Sequence, residues 1–354
     1  MTAGLSFCFN VLKRNSIKCY NRRIKLKLRI LTVILSACLL FCSCGNTSGY
    51  RLDGFAMNTM VSVAVYGKDS ENNASAALRE ITATENIISW NVKSSETAKI
   101  YAAGGWVVFA PTVAGLIGEL MPVCEATDGR YSLTLRELCD LWGIGTEKAD
   151  LPSEVDISAA LKKCDCEIFV SGDNVTLSNP SAALDFGSVG KGYACDKVYD
   201  LLKSNGADAA VVSVGGSILC FGQKSGGFTV DIATPGNINN SLGSLKFDTT
   251  AFISTSGSEE RFFEKDGKKY HHIFDAKTGY PLISELKSVT VVAKSGAMSD
   301  ALSTACFILG TEKSAELLKS YGADAVFVTS ENEIYVTDGL RDKFTLMNNN
   351  YVLK

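Results

Sequence analysis

The stretch Asp185-Phe-Gly-Ser-Val-Gly-Lys-Gly-Tyr-Ala-Cys-Asp196 constrains the fold more than any other part of the chain. It follows an apolar segment ending at Leu184, places three glycines and a lysine in a turn, and then opens a helix. Glycines let backbone N–H groups approach an anion, a helix N-terminus adds partial positive charge, and Lys191 supplies a full one. The stretch therefore reads as a phosphate or nucleotide cradle at a strand-to-helix junction. It fits neither familiar nucleotide pattern. Gly187 and Gly190 are too close together for the P-loop, and the order Gly187, Gly190, Gly192 is not that of the dinucleotide fingerprint. From its residues alone, a tight turn without a ligand explains the stretch equally well.

Composition matters first at the N-terminus. Residues 1–43 carry eight basic residues and no acidic ones, and lead into an apolar run at 30–41. That is the pattern of a cleaved export signal, too short for a comfortable membrane span. Its end, Leu40-Phe-Cys-Ser-Cys44-Gly, resembles a bacterial lipobox with Ser43 before the cysteine that would be lipidated. Residues 1–43 are thus expected to be a lipoprotein signal peptide, 44–50 the lipidated N-terminus and linker, and 51–354 a body on the extracytoplasmic face of the membrane, anchored through Cys44. Leu35-Ser-Ala-Cys38 fits the lipobox wording more closely, but follows only about five apolar residues where ~7–15 are usual. An uncleaved anchor helix is the competing reading.

Of the 35 basic residues, the 27 outside this leader face 38 acidic ones, a balance of about −11 that disfavours nucleic acid as a partner. Seven of the twelve cysteines lie in the body, and an odd number argues against a disulfide framework. Cys124, Cys139, Cys195, Cys220 and Cys306 sit among apolar neighbours as small core residues. Cys164-Asp-Cys166 lacks a second pair at zinc spacing.

Apolar alternation from Thr59 to Tyr66 predicts a strand, while 71–89, 112–127, 157–163 and the segment closing at Trp142-Gly143 predict helices. Short strands are expected at 168–170 and 175–177, into Leu184, and at 209–214, 228–232, 243–256, 270–275 and 286–293. A helix runs from the glycine-rich turn to Asn205. Helices return at 297–309 and 312–320, before strands at 323–329 and 333–336. With no repeat and no break in composition, this predicts an α+β fold: one large domain of mixed sheets with flanking helices.

Few residues offer chemistry. The two histidines, His271 and His272, adjoin Ile273-Phe-Asp275 and a Lys-Thr-Gly turn. One of them suits a general base oriented by Asp275, since successive strand residues face opposite ways. A pair of exposed strand histidines is the plainer reading. Asp300 and Thr304, four apart in an otherwise apolar helix, put two oxygens on one face. There they could share a hard cation such as Mg²⁺, or Asp300 could simply cap the helix. Ser254-Thr-Ser256-Gly257 adds hydroxyls and a turn glycine. Neither a G-x-S-x-G elbow nor an H-E-x-x-H motif is present.

In this order the pieces resemble the ApbE family, flavin transferases that move FMN from FAD onto proteins. The resemblance runs from about Met57 to Gly310. Met57-Asn-Thr-Met-Val-Ser-Val is similar to the family's M-G-T-x-x-S-V opening. Thr127-Asp-Gly-Arg-Tyr and Leu141-Trp-Gly are similar to T-x-G-x-F and D-L-W-G-F. The glycine-rich stretch is similar to D-x-G-G-I-A-K-G-Y-A-V-D and continues to Val214-Gly-Gly-Ser. Ser256-Gly, His272-Ile-Phe-Asp275-x-x-Thr278-Gly-Tyr-Pro281 and Ser299-Asp300-Ala-Leu-Ser-Thr304-Ala complete the set. Asn58 and Ser188 stand where the family has glycine, Gly190 where alanine is usual, Ala276 in place of a proline, and Ser132 where many members carry Asp.

The resemblance implies that FAD lies in a cleft with its pyrophosphate at Mg²⁺, held by Asp300, Thr304 and a backbone carbonyl of the 187–189 loop, assigned to Ser188. Met57, Asn58, Thr59, Ser256 and Gly257 would line the FAD site, with Asp185, Lys191 and Asp196 on the nucleotide side. His272 would activate a Thr or Ser hydroxyl of an acceptor protein, and Asp275 would orient it or contact nucleotide. The implied reaction is phosphoryl transfer, in which the hydroxyl attacks the FMN phosphorus and AMP leaves. FAD is then a substrate, and the expected acceptors are flavin-bearing subunits of membrane redox complexes or secreted flavoproteins. Two alternatives stand beside this one: hydrolysis of FAD to FMN and AMP, and a non-catalytic FAD-binding lipoprotein.

Overall fold

The computed structural model describes residues 49–354. The expected leader, Cys44 and the linker up to residue 48 lie outside them. Strand β1 (Gly49–Ala56) takes in Gly49 and Tyr50, so regular structure begins inside the stretch expected to be linker. β1 pairs antiparallel with β2 (Thr59–Tyr66) across a two-residue turn in which Met57 and Asn58 have φ of 52° and 57°. Positive φ at both central residues is the hairpin turn that matches strand twist. Val61, Val63 and Val65 are at most 1% exposed and share a core with Ala74, Ala77 and Ile81 of α1 (Ser70–Ile88). Burying each such valine contributes about 1.5–3 kcal/mol, and a one-residue register slip would turn the whole row away.

The chain continues through α2 (Glu96–Ala102), β3 (Val108–Phe109), α3 (Pro111–Ala126), α4 (Arg136–Trp142), α5 (Glu154–Cys164), β4 (Ile168–Ser171) and β5 (Asn174–Leu177). Next come α6 (Gly190–Ser204), β6 (Ala209–Val214), β7 (Ser217–Gly222), β8 (Phe228–Thr234), β9 (Asn237–Phe247) and β10 (Ala251–Gly257). The hairpin β11 (Phe262–Lys265) and β12 (Lys268–His271) precedes β13 (Leu286–Ala293) and α7 (Gly296–Tyr321). The chain closes with β14 (Asp324–Thr329), β15 (Glu333–Val336), α8 (Asp338–Arg341), β16 (Phe344–Leu346) and β17 (Val352–Leu353).

A nine-stranded sheet, ordered β1-β2-β6-β7-β10-β13-β14-β15-β17, forms the centre and is antiparallel except at the β15/β17 edge. Helices α1, α6 and α7 pack against it. A second sheet, β16-β9-β8, shares a separate core with it, where Phe228, Ile232 and Leu245 meet Cys220, Ile253 and Val326. The fold is α+β, with helices and sheets packed in layers. All seven cysteines among the described residues are free. No helix among these residues is long and apolar enough to cross a membrane.

Three strand expectations change. The segment into Leu184 is not a strand: 182–186 joins no ladder, although the Asp185 N–H donates to the Leu133 carbonyl at 2.8 Å. The stretch 243–256 is two strands, because a turn at 248–250 separates β9 from β10. The strand expected at 270–275 ends at His271, and beyond it Phe274 makes only an isolated bridge to Pro281. The two helices expected at 297–309 and 312–320 are the two parts of α7, separated as expected by a break at Gly310 with φ 80° and ψ 174°.

Candidate active site at the crossing of two helix N-termini

The glycine-rich stretch is folded by its own groups. Asp185 Oδ1 accepts the Gly187 N–H at 2.7 Å, and the Phe186 carbonyl accepts from Val189 and Gly190 at 3.0 and 2.7 Å. Arg136 Nη1 lies 3.6 Å from Asp185 Oδ2. Asp185, expected to bind nucleotide, is thus engaged in shaping the loop. At Gly192 the start of α6 crosses the start of α7 backbone to backbone. A methyl group on Gly192 would overlap the Gly296 carbonyl and come within 3.0 Å of Asp300 Cγ, while one on Gly296 would overlap Gly192. These two glycines are required by close approach.

Two carboxylates lock the crossing reciprocally. Asp196, on α6, accepts from Gly296 and Ala297 N–H at 2.5 and 2.8 Å, capping α7. Burial pushes its pKa up to about 7 against the pull of those two amides. Asp196 was expected on the nucleotide side; instead both its oxygens are committed to the start of α7. Asp300, on α7 and 4% exposed, gives Oδ2 to the Gly192 N–H and Oδ1 to the Ser217 hydroxyl, both at 2.6 Å. Both donors are neutral, so nothing in this pair of contacts balances the Asp300 charge.

Hydroxyls line the ground beside Asp300. Ser256 Oγ lies 2.7 Å from Ser303 Oγ and 2.9 Å from Thr304 Oγ1, and Ser254 pairs with Ser299 at 2.8 Å. Asp300 and Thr304 do share a helix face, since Thr304 Oγ1 reaches back to the Asp300 carbonyl at 3.4 Å. Gly257 packs against the Lys287 carbonyl. Among the described residues no group of three or more His, Cys, Asp or Glu side chains is arranged to hold a metal. Any cation here would rely on a mixed set of oxygen donors.

The turns 57–59 and 215–217 close another side. A Cβ on Gly190 would lie 3.3 Å from Met57 Cε, and one on Gly215 would lie 2.9 Å from Thr59 Oγ1 and 3.4 Å from Lys191 Cδ. Met57, Thr59, Lys191 and the loop therefore come together as expected. Asn58, at φ 57°, takes the left-handed conformation that asparagine tolerates better than most residues. Lys191 Nζ reaches the Gly187 carbonyl at 3.4 Å. Glu260 Oε1 would be 3.8 Å from a Cβ on Gly216. Glu260 keeps an exposed surface, yet the atoms packed around it push its pKa up by desolvation; Lys191 and Arg261 pull it down and Asp300 adds to the rise.

The histidines divide. His271 is buried, its Nε2 2.7 Å from the Leu282 carbonyl and its Nδ1 accepting from the Ile273 N–H. It is structural. His272 is half-buried, with Nδ1 3.3 Å from the Arg261 carbonyl. A carbonyl only accepts, so this contact assigns the proton to Nδ1 and leaves Nε2 with its lone pair free. Burial, then the charge of Arg261, push its pKa down to about 4, with Lys191 contributing. Asp275 does not orient it. Its Oδ2 accepts from Arg130 Nε and Nη2 at 2.9 and 2.8 Å and its Oδ1 from the Lys277 N–H, because the chain leaves the strand at His271 and turns. Asp275 ties the 275–281 turn to Arg130.

Ser188 presents its side chain to Tyr131, hydroxyl to hydroxyl at 3.0 Å. Sequence reasoning assigned no role to Ser217, Arg130, Tyr131 or Glu260. Ser217 carried a signal as a hydroxyl closing a glycine turn, and Arg130 and Tyr131 as members of the Thr127-Asp-Gly-Arg-Tyr stretch; Glu260 carried none.

Residues 57–327 match the model of the ApbE family. The chain is similar to an FAD:protein FMN transferase of Treponema pallidum, 30% identical over 340 residues, 88% of this chain and 94% of that one. A Klebsiella pneumoniae FAD:protein FMN transferase is 31% identical over 312 residues, 85% and 96% of the two chains. Among solved structures, the ApbE protein of Thermotoga maritima has a TM-score of 0.75 at 27% identity, covering 82% of this chain and 98% of that one. The apo form of the Pseudomonas stutzeri flavinyl transferase ApbE has a TM-score of 0.72 at 28% identity, covering 84% and 97%.

Proposed function

The chain belongs to the ApbE family, and from that premise we propose that it is an FAD:protein FMN transferase that works with Mg²⁺ on a Thr or Ser hydroxyl of an acceptor protein. The activity named for relatives that match most of its length supports the transfer. One observation carries the placement of the chemistry: the buried carboxylate of Asp300 lies where two helix N-termini cross and is held by neutral donors alone. Asp300, the Thr304 hydroxyl and the carbonyl of Ser188 are hard oxygen donors of the kind Mg²⁺ takes, leaving room for retained waters. When bound, the cation would offset charge on the pyrophosphate and orient it.

The chain's own residues do the rest. The start of α6 and the Lys191 ammonium favour the anionic pyrophosphate, the first amides of α7 being taken by Asp196, with Met57, Asn58 and Thr59 against the FAD. The acceptor oxygen attacks the FMN phosphorus, the bond from that phosphorus to the bridging oxygen breaks, and AMP leaves with that oxygen. The hydroxyl proton passes to Nε2 of His272, the nitrogen left free by the Arg261 carbonyl. Lys191 offsets charge on the departing phosphate.

The basic leader and the lipobox-like Cys44 support a body tethered to the extracytoplasmic membrane face. Its acceptors are then flavin-bearing subunits of membrane redox complexes or secreted flavoproteins. Incubation of the purified protein with FAD, Mg²⁺ and an acceptor domain tests the whole reading. FMN covalently on the acceptor with stoichiometric AMP is the expected product. Free FMN with AMP, or FAD bound and unchanged, contradicts it.

A further inference from the structure

The segment from Ser188 to Gly192 is held at both ends by side chains from other elements. At one end the Gly192 N–H donates to Asp300. At the other, Ser188 Oγ meets the Tyr131 hydroxyl at 3.0 Å. Tyr131 is 3% exposed, and burial pushes its phenol pKa well up, so that it stays protonated and needs a partner. Asp300 and Asp185 are close enough for their charges to push the same way.

The backbone that carries Tyr131 is itself anchored. Its N–H donates to Thr127 Oγ1 at 3.1 Å, and that hydroxyl donates to the Cys124 carbonyl at 2.8 Å. Thr127 is the C-cap of α3. A chain of hydrogen bonds thus runs from the end of α3 through Thr127 and Tyr131 to Ser188. Ser188 lies between Gly187, whose N–H donates to Asp185 Oδ1, and Val189, whose N–H donates to the Phe186 carbonyl; these bonds shape the turn from within, and the Tyr131 contact ties it to a segment outside the loop.

The geometry points to Tyr131 and Ser188 as a positioning pair: the hydroxyl contact fixes the 187–190 backbone relative to Asp300 and so sets the site's grip on cation and FAD pyrophosphate together. This rests on the flavin-transfer reading above. Neither side chain touches a reacting atom. Because the contact needs both hydroxyls, losing either loses the whole restraint, and losing the second changes nothing further.

Flavin-fluorescence titration with FAD at several Mg²⁺ concentrations tests this on the wild-type protein, Tyr131→Phe, Ser188→Ala, the double variant and Ser188→Thr, with thermal unfolding of the FAD-free proteins measured alongside. Each single variant is expected to raise the FAD Kd about 3- to 10-fold and to move the Mg²⁺ midpoint upward. The double variant should lose no more affinity than the weaker-binding single, and Ser188→Thr, which keeps a hydroxyl, should stay within about twofold of wild type. The unfolding midpoint should fall in Ser188→Ala, which strands the buried phenol, and recover in the double variant, while FAD affinity stays low. A double variant that binds FAD like wild type at every Mg²⁺ concentration, or singles whose losses add, overturns the inference. Wild-type protein that binds no FAD overturns the transferase reading itself, and the inference with it.

Discussion

The two sides of the candidate site are made of different materials. The α6/α7 wall is backbone against backbone at Gly192 and Gly296, cross-linked by Asp196 and Asp300, with almost no freedom to move. The segment 258–281 offers Glu260, Arg261 and His272, the first two exposed and the third half-buried, and is tied by the β11/β12 ladder, by His272 to the Arg261 carbonyl and by Asp275 to Arg130. The contrast teaches a division of labour. Phosphate and cation need donors fixed in advance, since reorganising them during the reaction would forfeit their electrostatic advantage. On the proposed reading the 258–281 side receives an acceptor protein and a proton, and for that it tolerates, and needs, more open side chains.

The largest expected break falls on the rigid wall. Gly192→Ala would drive a methyl into the Gly296 carbonyl, backbone that cannot swing aside. Destabilisation of more than about 3 kcal/mol is expected by chemical denaturation. An unchanged midpoint would mean that the crossing is far softer than described. On the open wall, His272→Ala should leave the fold intact and reduce acceptor flavinylation about 10²-fold or more. The pH profile sharpens this. With its pKa pushed down to about 4, His272 keeps its lone pair through neutrality, so the acid limb of kcat/KM should lie near pH 4 rather than near 6.5. Between those values the unfolded chain binds this proton more readily, so the histidine's contribution to stability should decline as pH falls through that window. An acid limb at 6.5 would contradict the assignment.

Smaller effects follow behind and between the walls. Arg130→Met leaves Asp275, 8% exposed, without its guanidinium. A loss of about 1–3 kcal/mol is expected in thermal or denaturant unfolding, with little change in the chemical step once FAD is bound. Asn58→Gly is the mildest. Asparagine already accepts φ 57° there, so stability should shift by less than about 1 kcal/mol. Fluorescence titration should show FAD affinity changed by less than about threefold; a tenfold gain would show that the Asn58 side chain obstructs the flavin.

What could be read in the sequence follows from the range of each constraint. The glycine-rich turn, the pairing of Asp300 with Thr304 on one face, and the strand Val61–Val65 are local patterns of spacing, and they stand. The strand expected before Leu184 was an apolar run without a partner, and burial alone does not make a ladder. From the sequence, Asp196 is expected on the nucleotide side and Asp300 at a cation or as a helix cap. Their different fates depend on Gly296, Gly192 and Ser217, supplied by other elements. The pairing of Asp275 with Arg130 instead of His272 follows from where β12 stops, which alternation could not locate. Ser188 and Tyr131 each lie in a stretch the sequence singled out, but they meet only because the segment after α3 and the loop are packed together, so neither stretch announced the pairing.

The central claim is that Asp300 is the carboxylate on which flavin transfer depends, and mass measurement of an acceptor domain tests it most directly. Wild-type protein and Asp300→Asn, matched for folded fraction, are incubated with FAD and Mg²⁺. The wild-type sample should gain the mass of an FMN phosphoester on a Thr or Ser, while Asp300→Asn, which keeps the shape but not the charge, should slow the reaction by about 10²–10³-fold. Modification by Asp300→Asn at the wild-type rate would contradict the account.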